Sequence, residues 1–261
     1  MHLALAVLLA IGSPAAQSAP TLPAPASSSA AAAQPPYLTA AIADPARQSD
    51  KVNDERRQLA KVMAFAQVKP GDKVLELIPG SGYFTRVFSG VVGSKGHVYA
   101  LWPVEYAKES SRDVTQLRQL SKQPHYNNIS VLTQPAAQLS APESVDVVFT
   151  SQNYHDYPDA FMGKVDPVAL DKQVFAALKP GGVFVVIDHV AAAGSGMRDT
   201  DTLHRIDPAI VKKQVRSAGF VLDGESNALQ NAADPHTAKV FDPSVRGHTD
   251  QFMLRFRKPA H

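Results

Sequence analysis

The 261-residue chain contains no cysteine, which excludes a disulfide framework, thiolate metal ligands and a cysteine nucleophile. Its first 43 residues contain no Asp, Glu, Lys or Arg, and Asp44 is the first charged side chain. A basic stripe is also missing. The 26 basic and 24 acidic residues are interleaved and leave a formal net charge of +2, so a small-molecule partner is expected and nucleic acid is not. What the chain does have is 44% apolar residues, enough to bury the core of one domain.

The uncharged start has an order of its own. Residues 3–11 form an unbroken apolar run, followed by Gly12, Pro14 and a small-residue patch at 15–19. That is the layout of a secretory signal, although only His2 and the amino terminus supply positive charge ahead of it. The run is too short to span a bilayer, so no stable membrane insertion is expected once the signal is removed. The organisation read from composition is a signal peptide at 1–19, a disordered Pro/Ala/Ser-rich linker at 20–48 and a folded domain at 49–261. Localisation follows as periplasmic or secreted, with a cytoplasmic chain carrying an apolar tail as the alternative.

Beyond the linker, strand and helix patterns alternate. The spacing predicts an amphipathic helix over 50–67, a strand over 73–78, a glycine turn at 79–82 and a helix over 83–92 closing on Gly93. Strands follow at 97–101, 129–132, 145–149 and 183–187, with helices at 105–120 and 167–178, the latter capped by Asp166. A helix at 208–217 and strands at 220–223 and 251–257 complete the pattern, and the stretch 225–250 is long for a connection. Nearly all-apolar strands alternating with helices give an α/β fold, a mostly parallel sheet with helices on both faces.

In such a sheet a ligand lies beyond the carboxyl ends of the strands, where the strand order reverses. The segment 74–85, VLELIPGSGYFT, fits that place. Gly80 and Gly82 let the backbone turn and approach a ligand closely, and the next helix offers free N–H groups. Glu76 is costly to bury in an apolar strand unless a ligand ammonium or an N–H network answers it.

The chain resembles the class I S-adenosylmethionine-dependent methyltransferases over about residues 50–258. Four blocks carry the likeness: 74–82, 97–101, 145–149 and 178–184. With Asn153-Tyr-His-Asp156, Asp188-His189, His204-Arg-Ile-Asp207 and 245–252, the pattern is closest to predicted methyltransferases with an export signal. The resemblance implies a Rossmann-like seven-stranded sheet with an antiparallel last strand, S-adenosylmethionine as cofactor, and a small-molecule methyl acceptor with an O or N nucleophile. It also implies a cofactor site at Glu76, Pro79, Gly80, Ser81, Gly82, Tyr83, Thr85, Trp102 and Asn153.

Two departures stand out. Trp102 occupies the position where the family carries an acid for the ribose hydroxyls, and 133–135 (TQP) lacks the usual acid after the third strand. Trp102 is read either as stacking on the nucleoside, with Glu105 reaching back to the hydroxyls, or as a packing residue. A protein that kept the scaffold and lost catalysis is the alternative function. His155 is the preferred general base, with Asp156 orienting it, and His189 and His204 are further catalytic candidates on the same rim; the alternative for His155 is a plain hydrogen bond to loop backbone. Arg205 and Arg246 are candidates to hold an acidic group. The histidines lack His-x-x-x-His spacing, so they are read as separate loop residues and no metal is assigned.

Overall fold

A computed structural model describes Met1 and residues 34–260 of the chain; residues 2–19 of the expected signal peptide and 20–33 of the expected linker lie outside the described part. The first element is helix α1 (Pro36–Ala43), which places Leu38 and Ala41 in the core. Residues 34–48 were assigned to the linker on composition, and the structure corrects that boundary. One leucine and one alanine suffice because the partner helix offers a glycine: a Cβ on Gly90 would lie 3.0 Å from the Ala41 Cβ, so the two backbones pack almost in contact.

The elements that follow are α2 (Leu59–Ala66), β1 (Lys73–Leu77), α3 (Tyr83–Val92), β2 (His97–Pro103), α4 (Val104–Glu109), α5 (Ser111–Leu120) and β3 (Ile129–Gln134). Then come β4 (Val145–Ser151), α6 (Pro167–Ala177), β5 (Leu178–His189), α7 (Thr200–Leu203), α8 (Pro208–Ser217), β6 (Val221–Ser226) and β7 (Gln251–Arg257). The strands form one seven-stranded sheet in the order β3-β2-β1-β4-β5-β7-β6. The contacts from β3 to β5 are parallel, while β7 runs antiparallel to both β5 and β6. Helices cover both faces, which makes the fold the Rossmann-like methyltransferase sheet expected from the sequence.

Central strands explain the topology. Val74, Val147, Val148, Phe149, Val185 and Val186 are essentially without solvent contact, as β-branched and aromatic residues are when a parallel sheet is covered on both faces. Chain order reverses at β1, which has β2 on one side and β4 on the other. The loops leaving β1 and β4 therefore diverge and open a crevice at the carboxyl edge.

Two expected helices are broken. Residues 50–67 form a 3₁₀ turn at Lys51–Asn53 and then α2, because Gln58 takes a left-handed conformation with φ 46°. Residues 105–120 divide into α4 and α5 at Ser110. Asp54, in the first interruption, accepts hydrogen bonds from the buried Arg47 at 2.9 Å and from the Tyr83 hydroxyl at 2.6 Å. The segment before β1 is thereby tied to the start of α3.

Candidate active site

At the carboxyl edge of β1, β2, β4 and β5 lies a cavity of about 440 Å³, within the range of pockets that hold a small organic ligand. One end is built on the turn between β1 and α3. Gly80 has φ +58° and open space where a Cβ would stand, whereas a Cβ on Gly82, at φ +90°, would lie 2.8 Å from the Leu117 side chain. Gly80 thus keeps the backbone bare toward the cavity, and Gly82 lets α5 pack behind the turn. The first helical bond of α3 runs from the Arg86 N–H to the Gly82 carbonyl at 3.1 Å, which leaves the N–H groups of Tyr83, Phe84 and Thr85 without helical partners.

Glu76 lies beneath this turn, 2% exposed, and lines the cavity. Burial pushes its carboxyl up to about 8, against the opposing hydrogen bond from Thr85 and the more distant Arg86. The Thr85 hydroxyl donates to it at 2.5 Å. With no cation in contact, Glu76 is protonated at neutral pH and ionises when a cation arrives. Pro79, Ser81 and Tyr83 line the cavity as expected from sequence, but Thr85 and Gly82 act from behind it.

Trp102 stands in the cavity wall, and its Nε1–H is buried without a hydrogen-bond partner among the described residues. Tyr106 lies beside it, with ring centroids 6.0 Å apart. Glu105 does not reach back: its carboxylate accepts from the Ala136 N–H at 3.0 Å. Glu109 and Asp113, from α4 and α5, are the acids that line this part of the cavity. Neither was singled out from sequence, because no local pattern separates them from the other charges around the break at Ser110.

The cationic group at this end is also different from the two expected. Arg205 is fully buried and held by Asp234 through bonds of 2.9 and 3.0 Å; Arg246 is exposed and does not line the cavity. Arg57 does line it, with its guanidinium 4.6 Å from the Tyr83 ring centroid and 5.7 Å from that of Phe84. Among the described residues no carboxylate pairs with it at salt-bridge distance. No local signal in the sequence marks Arg57, which is brought to the site by the irregular segment before α2.

The opposite end is assembled from the loops after β4 and β5. Asn153 lines the cavity and donates to the Ser151 carbonyl at 2.9 Å, holding the loop against β4. Asp188, fully buried, accepts from the His155 backbone N–H at 2.8 Å and contacts His155 Nδ1 at 2.8 Å. It is therefore Asp188 that orients the ring. Asp156 meets its other edge, with Oδ1 3.2 Å from His155 Nε2. His204 joins them from the end of α7, with Nδ1 3.4 Å from His155 Nε2 and 3.6 Å from Asp156 Oδ1. Histidines read as separate loop residues are in fact in mutual contact.

The charges here are set by neighbours. Burial disfavours an imidazolium at His155, but Asp188 and Asp156 outweigh it and push the group up to about 10. The expected general base, His155, thus has both ring nitrogens engaged within the protein, Nδ1 by Asp188 and Nε2 by Asp156 and His204. Burial raises the Asp156 carboxyl, yet its bonds to His155 and His204 overcome that and hold it below the usual carboxylate range. His189 is driven down to about 4, chiefly by burial, and is neutral; its Nδ1 meets the Thr249 hydroxyl at 2.7 Å.

A seven-stranded sheet of this order, with a glycine turn after β1 and a buried acid beneath it, defines the class I methyltransferase architecture. Solved structures agree on the fold. A SAM-dependent methyltransferase from Aquifex aeolicus is 18% identical, covers 82% of this chain and 94% of its own, and superposes with a TM-score of 0.52. One from Mesorhizobium loti is 17% identical over 76% of this chain and 95% of its own, at 0.53. The [4+2]-cyclase SpnF reaches 0.59 at 17% identity, over 79% and 81%, so the fold alone does not settle the reaction. The chain belongs to the protein-L-isoaspartate(D-aspartate) O-methyltransferase family, whose model matches residues 47–221. A protein-L-isoaspartate O-methyltransferase from Ignicoccus hospitalis is 32% identical over 128 residues, which are 49% of this chain and 52% of that relative. The match thus spans about half of the relative's length.

Proposed function

We propose that the protein catalyses O-methylation, with S-adenosylmethionine over the glycine turn and the acceptor at the His155 end. The observation that carries this reading is Glu76, a buried acid with no cationic partner beneath a bare backbone turn, in a cavity of suitable size. Glu76 would hold the cofactor's ammonium, Arg57 its carboxylate, and the free N–H groups of α3 the same end of the molecule. Glu109 and Asp113 take the place of the ribose acid missing after β2. The unpartnered Trp102 Nε1–H and the Tyr106 ring line the wall for the nucleoside.

When bound, the cofactor supplies an electrophilic methyl on a sulfonium. The chain's own residues then act mainly by positioning. With both His155 nitrogens already engaged by Asp188, Asp156 and His204, the site suits an oxygen acceptor that arrives ionised, a carboxylate above all. His155 and His204 would hold that anion while Asp188 and Asn153 keep the loop in place. The family and the relative from Ignicoccus are named for an O-methyltransferase that acts on isoaspartate, and a carboxylate acceptor is consistent with both; the sequence reading had allowed oxygen or nitrogen on a small molecule.

Calorimetry with S-adenosylmethionine and S-adenosylhomocysteine tests the donor half. Absence of binding by either at sub-millimolar concentration overturns it and favours the scaffold that has lost catalysis. An assay for S-adenosylhomocysteine release, run with small carboxylic acids and with an isoaspartyl peptide, identifies the acceptor. We also infer export from the apolar run at 3–11. N-terminal sequencing of the periplasmic or secreted protein checks it, and a cytoplasmic chain with residues 1–19 intact refutes it.

A further inference from the structure

We propose that His155 Nε2, His204 Nδ1 and Asp156 Oδ1 form a three-ligand site for a divalent transition-metal ion of the zinc type, open toward the cavity. The three atoms are separated by 3.2, 3.4 and 3.6 Å. A tetrahedral ion with ligands at about 2.0–2.1 Å has ligand-to-ligand edges of about 3.3–3.4 Å, so the spacing of the triangle matches one ion, whose binding displaces the His155 Nε2 proton to solvent. Ordinary hydrogen bonding does not require three such atoms to converge on one point.

The surroundings are those of a ligand set. Asp188 engages His155 Nδ1 at 2.8 Å, on the side of the ring away from the triangle, as a carboxylate does behind a metal-binding imidazole to fix its tautomer and aim its other nitrogen. Asp188 is itself fixed by the backbone N–H groups of His155 and His189, both at 2.8 Å. His204 is held in a left-handed conformation, φ 54°, which is uncommon for a side-chain-bearing residue. All three ligand residues line the cavity, so the remaining coordination positions face the space assigned to the acceptor. Two imidazoles and one carboxylate select zinc, iron or cobalt over magnesium or calcium, which prefer all-oxygen sites.

The site itself stands without the cofactor reading. Its role, binding an acceptor oxygen as a Lewis acid, rests on that reading. The test therefore uses the metal alone. Full-length protein is stripped with a chelator and titrated with Zn²⁺ by competition against a chromophoric chelator, then with Co²⁺ by visible absorption. One ion per chain with micromolar or tighter affinity is expected, together with Co²⁺ ligand-field bands and no displacement by excess Mg²⁺. Asp188→Asn is expected to weaken Zn²⁺ binding about 10–100-fold, and His204→Ala or Asp156→Asn more than that, while His248→Ala, at an exposed loop position, leaves it unchanged. The His204 side chain is 22% exposed, so His204→Ala is the variant expected to keep the fold, checked by its melting temperature. Binding no tighter than about 0.1 mM, or affinity unmoved by His204→Ala and Asp156→Asn, overturns the proposal. Calorimetry with S-adenosylhomocysteine on the same stripped sample shows separately whether the donor half holds.

Discussion

The two ends of the cavity solve the burial of charge in opposite ways. At the glycine turn a single acid, Glu76, is buried without a counter-charge and stays neutral until a cationic ligand arrives. At the other end Asp188, His155, Asp156 and His204 satisfy one another within the protein. The first end is contiguous in sequence, from 76 to 85. The second gathers residues from the segment after β4, the end of β5 and the end of α7. A group left wanting a partner is a binding site by its deficit, whereas a self-satisfied cluster reveals its chemistry only through its geometry.

The largest effect expected from this contrast is on stability at the second end. His155→Ala leaves Asp156 and Asp188 buried beside a void, and a loss of about 3–5 kcal/mol is expected on breaking a buried charged pair from one side; urea denaturation measures it. A loss no larger than that of Glu76→Ala would erase the distinction between the two ends. Next comes Glu76 itself. Glu76→Ala is expected to weaken S-adenosylhomocysteine binding by about 100-fold, the scale of one buried charge-assisted hydrogen bond, with little change in Zn²⁺ affinity.

The pH dependence sharpens the same point. Because the folded Glu76 holds its proton up to about 8, whereas the unfolded side chain releases it near the ordinary carboxylate value, its contribution to stability is present in acid and declines as pH rises toward 8. Glu76→Gln should flatten that decline in the ligand-free protein. Calorimetric affinity for S-adenosylhomocysteine should in turn rise about tenfold per pH unit between 6 and 8, since binding needs the ionised acid, and then level off. Arg57→Ala is expected to cost about tenfold in the same affinity. The smallest effect is that of Trp102→Phe: it removes a buried N–H that has no partner among the described residues, so a stability change below about 1 kcal/mol is expected, and any loss of ligand affinity then measures a contact of that N–H with the nucleoside.

Legibility followed the same divide. Helices α3 and α8 and strand β7 have the bounds read from sequence, because glycine or proline at their ends and a regular apolar period inside them are local signals. The interruption at Gln58 was not legible: its left-handed turn is held by tertiary partners such as Asp54, which reaches Arg47 and Tyr83. Nor was the start of the domain, since a helix with only two buried small or medium side chains looks like linker until Gly90 is seen beneath it. Glu76 and Gly80 were legible because burial and backbone shape each demand an explanation. Arg57, Glu109 and Asp113 were not, because exposed-looking charges reach the cavity only through breaks in helices. His204 lies 49 residues from His155 in sequence, and no spacing rule joins them.

The contact between Ala41 and Gly90 sets where the chain can be trimmed. Expression from residue 49, the boundary that composition suggests, would strip α1 from α3 and delete Arg47, which bonds Asp54 at 2.9 Å and through it the Tyr83 hydroxyl. Such a shortened protein would bare apolar helix surface and loosen the wall on which Arg57 stands, and its failure to bind a ligand would report the missing helix rather than the chemistry of the pocket.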